Sequence, residues 1–242
     1  MIFVDLSLAQ IAALGTTIAV LAGMDAHGGG AYWVSLVFTF IGAAVFSMVR
    51  THKSRIPQEA IIGICYAVAS AASILAMSKS TQQTEHLKDM LVGNILTVSC
   101  DEVARTAILY GLVGVFHYFL RDKFLLISTN RAEAEKQGLS IRFWDFLFYA
   151  SFGFVVTSSV SIAGVLLVFC YLIVPSVGAM LFSDRIGPRL AIGWAMGAVV
   201  SALGVYLSLQ LDLPTGATIV CTFGSVLILM GLLHTAMRKS PA

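Results

Sequence analysis

The 242 residues are 58% hydrophobic and 12% charged, with a net charge of +2. Water-soluble domains carry roughly 25% charged residues, so this chain has too little charge to cover a soluble globule, and its mean hydropathy of +0.88 points to lipid instead. The near-neutral charge, with no basic patch interleaved with aromatics, excludes nucleic acid as a partner.

A membrane-crossing helix needs about 20 mostly apolar residues. Eight segments meet that requirement: 2–23, 31–49, 57–77, 104–120, 144–160, 162–182, 190–210 and 217–236. The fifth is short, and Ser158, Ser159 and Ser161 separate it only weakly from the sixth, which leaves a count of seven open. The fold class is therefore all-α, a polytopic bundle of about eight spans in a single domain over 1–242. Small residues four apart, such as Ala67/Ala71 and Gly193/Gly197, mark faces where helices approach closely in lipid.

Charge sets the orientation. With the N-terminus on the cytoplasmic side, 12 of the 15 Lys and Arg fall in inner segments, leaving only Lys79, Lys88 and Arg105 outside. The C-terminus is then cytoplasmic as well. The outer connections are a Gly-rich turn over 25–30, a long segment over 78–103 with a possible short interfacial helix at 85–95, and the tight turn Asp212-Leu213-Pro214-Thr215-Gly216. The largest inner connection, 121–143, holds a short helix that Asn130 caps and Gly138 ends, with Arg131, Glu133 and Glu135 between them.

No HExxH, GxSxG or P-loop pattern is present, so neither a membrane protease nor an intrinsic ATPase has support, and an enzyme is not expected. Cys65, Cys100, Cys170 and Cys221 form no CxxC pair, and three of them lie in apolar runs, where cysteine acts as a small hydrophobe. Ionisable side chains at membrane depth are costly and draw attention as pathway residues. Asp5 is one; its alternative is dipole compensation at a helix start. Gln10 lies five residues on, about 140° round the helix, and does not share its face. Glu59 follows Pro57 in the ordinary grammar of a helix start, with a lining or gating role as the other reading. His86 and Asp89 are spaced i, i+3, and oxygen with imidazole suits a borderline divalent cation, although with Lys88 beside them a mixed charge cluster at a membrane mouth is usually just solvated. His117, His234, Asp145 and Asp212 fit interface, helix-start and turn positions.

Several motifs then accumulate in order: Arg55-Ile56-Pro57-Gln58-Glu59-Ala60-Ile61-Ile62-Gly63, Leu91-Val92-Gly93-Asn94-Ile95-Leu96, Trp144-Asp145, Gly164-Val165-Leu166-Leu167-Val168-Phe169 with Leu172-Ile173-Val174-Pro175, and Asp212-Leu213-Pro214-Thr215-Gly216. On these the chain resembles the integral-membrane permease family of ABC importers for zinc and manganese. The resemblance implies a bacterial cytoplasmic-membrane uptake system. In it, a permease homodimer forms the path, cytoplasmic ABC ATPase subunits drive it and an extracytoplasmic metal-binding protein delivers the ion. The divalent metal would be cargo, with no permanently bound cofactor. The resemblance also makes 131–138 the ATPase-coupling element.

Two departures stand out. Many family members carry an Asp and a His four residues apart in the helix matching 2–23; Asp5 matches the first, but Ala9 stands in the second place, with Gln10 beside it. Members also generally have a further span ahead of this one, so a missing N-terminal helix is expected, and it would carry Asp5 deeper. The readings to be weighed are a divalent-metal permease, a permease for a metal chelate, and an ATP-independent channel or secondary carrier.

Overall fold

A computed structural model of the chain describes residues 4–26, 28–49, 58–78, 93 and 95–239, without the side chains of Val49, Gln58 and 236–239. Among the described residues there are eight α-helices: α1 (Val4–Leu21), α2 (Gly29–Val49), α3 (Gln58–Met77), α4 (Cys100–Thr129), α5 (Arg131–Lys136), α6 (Ile141–Met180), α7 (Ile186–Leu211) and α8 (Thr215–Lys239). A single 3-10 turn, Ile95–Thr97, precedes α4. All but α5 are long and apolar enough to cross a membrane, seven in number. A chain in lipid must satisfy its backbone polar groups internally, and helices do so within each segment.

The helix ends follow local chemistry. Helix α4 extends past both ends of the predicted span 104–120. Its start is fixed by a capping box in which the Glu102 N–H donates to Ser99 Oγ at 3.3 Å and the Ser99 N–H donates to Glu102 Oε2 at 2.8 Å. Its end comes only at Asn130. Arg121, Asp122 and Lys123, read from sequence as loop, are exposed residues of the continuing helix.

The predicted spans 144–160 and 162–182 are one helical run of 40 residues, α6. The serines between them do not break it. Ser159 Oγ donates to the Val155 carbonyl at 2.7 Å and Ser161 Oγ to the Ser158 carbonyl at 2.9 Å, so each hydroxyl is satisfied one turn back in the helix. The interruption lies at Gly164, whose φ of 74° and ψ of 162° are not helical. That region of backbone space is open essentially to glycine alone.

The chain forms two compact units, the described residues of Met1–Leu87 with Val98–Ser161, and those of Lys88–Thr97 with Ile162–Ala242. In the first, α1 is the buried centre, packed on both α2 and α3. Helix α2 runs antiparallel to it: a Cβ on Gly15 would stand 2.6 Å from Ser35 Cα, and one on Gly42 2.8 Å from Ile11 Cδ1. Ser35 Oγ closes that contact by donating to the Ala12 carbonyl at 2.7 Å. Helices α4 and α6 pair through Tyr110 with Ser159 and through His117 with Ser151.

In the second unit α7 and α8 form a hairpin. Asp212 adopts the left-handed conformation, φ 51° and ψ 46°, and Ser208 Oγ donates to the Leu213 carbonyl at 2.7 Å. The turn predicted at Asp212-Leu213-Pro214-Thr215-Gly216 is thus closed by a side chain one turn before it. The hairpin is tight because Gly204 lies against the Ile219 backbone, with 2.8 Å from an ideal Cβ to Ile219 Cα.

Candidate functional site

Asp5 stands in the first turn of α1 and is half-buried, while its neighbours Val4, Ser7, Leu8, Ala9 and Gln10 are buried. Helix α3 lies alongside. Ser7 Oγ donates to the Ile62 carbonyl at 2.7 Å, a bond that sets the first turns of α1 and α3 side by side. Glu59 is one turn before Ile62 and exposed. The two carboxylates therefore occupy the same end of the α1–α3 pair, Asp5 sheltered and Glu59 open. Gln10 is only 6% exposed and belongs to the packed side of α1, consistent with its angular offset from Asp5. Ala9 is fully buried, which leaves no room there for an imidazole without displacing a neighbour. His86 and Asp89 lie outside the described residues. Among the described residues no three or more His, Cys, Asp and Glu side chains gather in a metal-holding group.

The inner connection is a compact helical element. Asn130 ends α4 and begins α5: its N–H donates to the Leu126 carbonyl at 2.8 Å, and its Oδ1 accepts from the Glu133 N–H at 3.2 Å. Gly138, with φ of 76°, ends the helix as predicted. Arg131 and Glu135 pair along one face at 3.6 Å, and Gln137 Nε2 donates to Glu133 Oε1 at 3.3 Å. Ala134 points inward, fully buried against Ile127 and Ile141, with Leu126, Leu139 and Trp144 packed around them. The element is thus held by an apolar core beneath and by side-chain contacts among its own charged residues. Behind it, Asp145 is 4% exposed and lines a cavity of about 80 Å³ with Phe124, Trp144, Phe148 and Tyr149. Lys123 Nζ lies over the Trp144 ring at 4.7 Å. Asp145 is not in the first turn of α6, as a helix-start residue would be, but part of a buried aromatic box.

Sequence reading missed the polar contacts that join the spans. Thr39 and Thr157 hydroxyls meet at 3.0 Å between α2 and α6, and Gly153 admits Thr39 there. Isolated Ser and Thr residues within apolar runs were the available signal, but their partners lie far away in sequence. His117 Nδ1 sits 2.9 Å from the Val113 carbonyl, with Phe116, Phe124 and Phe148 ringing the imidazole.

Among the described residues, seven membrane-length helices with hydroxyls bonded across spans define a multi-pass membrane protein. The family profile described as the ABC 3 transport family matches residues 2–234, and the chain belongs to that family. The manganese transport system membrane protein MntC of Listeria innocua is 30% identical to it, over 75% of this chain and 67% of that protein. A probable iron transport system membrane protein of Haemophilus influenzae is 28% identical over 84% of this chain and 72% of its own length. The chelated iron transport system membrane protein YfeC of Yersinia pestis is 29% identical over 78% and 64%. In fold, the chain matches a structure of PsaBC from Streptococcus pneumoniae in complex with Fab. The TM-score is 0.76 at 21% identity, covering 95% of this chain and 80% of that one.

Proposed function

We propose that the chain is the membrane-spanning permease subunit of an ATP-driven importer for a transition-metal ion, manganese or iron foremost and zinc next. The observation that carries the reading is the family match across 2–234, all of the helical array but the end of α8. The cargo follows from relatives named for manganese, iron and chelated iron transport. In this reading the permease works as a homodimer with a cytoplasmic ABC ATPase and an extracytoplasmic metal-binding protein. The setting is a bacterial cytoplasmic membrane with the C-terminus inside, and no catalysis belongs to the chain itself. Helix α5 contacts the ATPase, since it is a short charged helix at the largest inner turn and its apolar core ties it to α4 and α6. Asp5, with Glu59 at the same end, marks the cargo path; Gln10 supports the helix from its packed side.

A second reading, a permease for a metal chelate, is favoured by one specific observation. Position 9 is a fully buried alanine, so α1 offers Asp5 without an imidazole one turn on. A bare ion entering a protein path exchanges water for several protein ligands; a chelate brings its ligands along. The discriminating experiment is uptake by the assembled complex in proteoliposomes, with manganese, ferrous iron and zinc supplied free or chelated. ATP-dependent accumulation of free metal supports the first reading, and accumulation of chelate alone the second. Accumulation without ATP would remove both in favour of a channel or carrier.

A further inference from the structure

Within the second unit, the interruption of α6 meets a second glycine. Gly93, itself at φ +66°, lies directly on it: an ideal Cβ at that position would stand 2.2 Å from Ala163 C and 2.6 Å from Gly164 N. Those atoms are backbone and cannot move aside, so glycine is required at 93 by space as well as by conformation. Residues 95–97, which follow, bury none of their side chains. At Gly93 the junction is backbone against backbone.

On the other side of the break, residues 165–180 form a half-helix with a second weakness at Pro175, which has no N–H to bond the carbonyl one turn back. Beside this half-helix lies an open groove of about 540 Å³, lined by Tyr171, Pro175 and Met180 on one wall and by Leu190, Gly193 and Gly197 on α7. Gly197 has nothing within 4 Å of an ideal Cβ, so the α7 wall is hollow there. Below the groove the packing is adaptable: Gly178 meets Met196 and Met230, side chains that repack readily. One polar contact spans the two walls, Ser201 Oγ donating to the Tyr171 hydroxyl at 2.9 Å.

A helix segment broken at Gly164 and weakened at Pro175 by one missing hydrogen bond, set beside an open groove, has both the freedom and the room to move. We infer that residues 165–180 are a moving element of the transport cycle, pivoting at Gly164 under the Gly93 contact and closing the groove against α7. The inference rests on the permease reading above, because the motion needs ATP binding to drive it.

The test uses the assembled complex with its four native cysteines replaced and spin labels at Leu166→Cys and Ala198→Cys, both exposed positions. Distances are measured without nucleotide and with ATP trapped. Two populations whose ratio shifts with nucleotide are expected. Gly197→Leu, which fills the groove, should collapse them to one and lower maximal uptake about tenfold, with the half-saturating metal concentration unchanged. One distribution in both states, alongside ATP-dependent uptake, overturns the moving element while leaving the permease reading intact. So does wild-type uptake by Gly197→Leu. Absence of ATP-dependent uptake in the unmutated complex overturns the permease reading and the pivot with it.

Discussion

Asp5 shows how a residue's meaning depends on what surrounds it. It begins a helix, where a carboxylate is favoured by the dipole, yet it is half-buried beside α3 rather than open like Glu59. A purely dipolar role would tolerate exposure as Glu59 does. Replacing Asp5 with Asn keeps the shape and removes the charge; uptake should fall to background with the folded fraction unchanged in size-exclusion profiles. Uptake at wild-type rates would assign Asp5 to helix initiation alone. Gly15 supplies a contrasting case, with no charge at stake. Its hydrogen faces the Ser35 backbone at a distance that no methyl can occupy, so Gly15→Ala should destabilise the first unit by about 1–3 kcal/mol, read as a lowered thermal midpoint. Gly42, whose neighbour is the flexible end of Ile11, should tolerate the same change better. The acidic and glycine positions were visible in the sequence, but the difference between Asp5 and Glu59, or Gly15 and Gly42, is a matter of what packs opposite. No local pattern encodes that.

Helices read well from sequence wherever lipid imposes length and apolarity, and less well at their ends, where water permits helix to continue. Helix α4 outruns its apolar stretch because charged residues at 121–123 cost nothing in an exposed helix, and a capping box sets its start. Helix α5 was legible to the residue: Asn130 and Gly138 are conformationally specific signals, and both act as such. Its coupling role is testable at this scale. Arg131 and Glu135 form a partly exposed pair at 3.6 Å, which contributes little to stability. Reversing one charge, by Arg131→Glu or Glu135→Lys, should leave the helix folded over its Ala134 core. It should nonetheless separate ATP hydrolysis from uptake in reconstituted complexes. Restored coupling in the double exchange would mean that only the internal pair matters. Unchanged coupling in both single variants would place the ATPase contact elsewhere.

At the scale of the whole molecule, the open quantity is how many times the chain crosses the membrane, and it turns on Gly164. At 1.5 Å per residue, 40 helical residues extend about 60 Å, twice the hydrocarbon thickness of about 30 Å. Before the break, residues 141–163 reach about 35 Å, and after it residues 165–180 reach about 24 Å. The first length suffices for a crossing; the second falls a few ångströms short of the hydrocarbon thickness and crosses where the bilayer thins around it. Charge favours two crossings rather than one. Arg131, Lys136 and Arg142 stand at the beginning of α6, and Arg185 and Arg189 stand just past its end. A single crossing would put one of these basic groups outside, against the positive-inside rule; two crossings put both inside. Reporter cysteines decide the matter in a chain freed of native ones. Gln137→Cys lies in the α5–α6 turn and Leu213→Cys in the α7–α8 turn, both exposed. With two crossings in α6 and one in α7, these positions face opposite sides of the membrane; with one crossing in each helix they face the same side. An impermeant maleimide applied to intact cells should therefore label Leu213→Cys at once and Gln137→Cys only after permeabilisation. Labelling of both from outside, or of neither, would reduce α6 to one crossing and the count among the described helices from eight to seven. Labelling of Gln137→Cys alone would invert the orientation and move α5 away from any cytoplasmic ATPase.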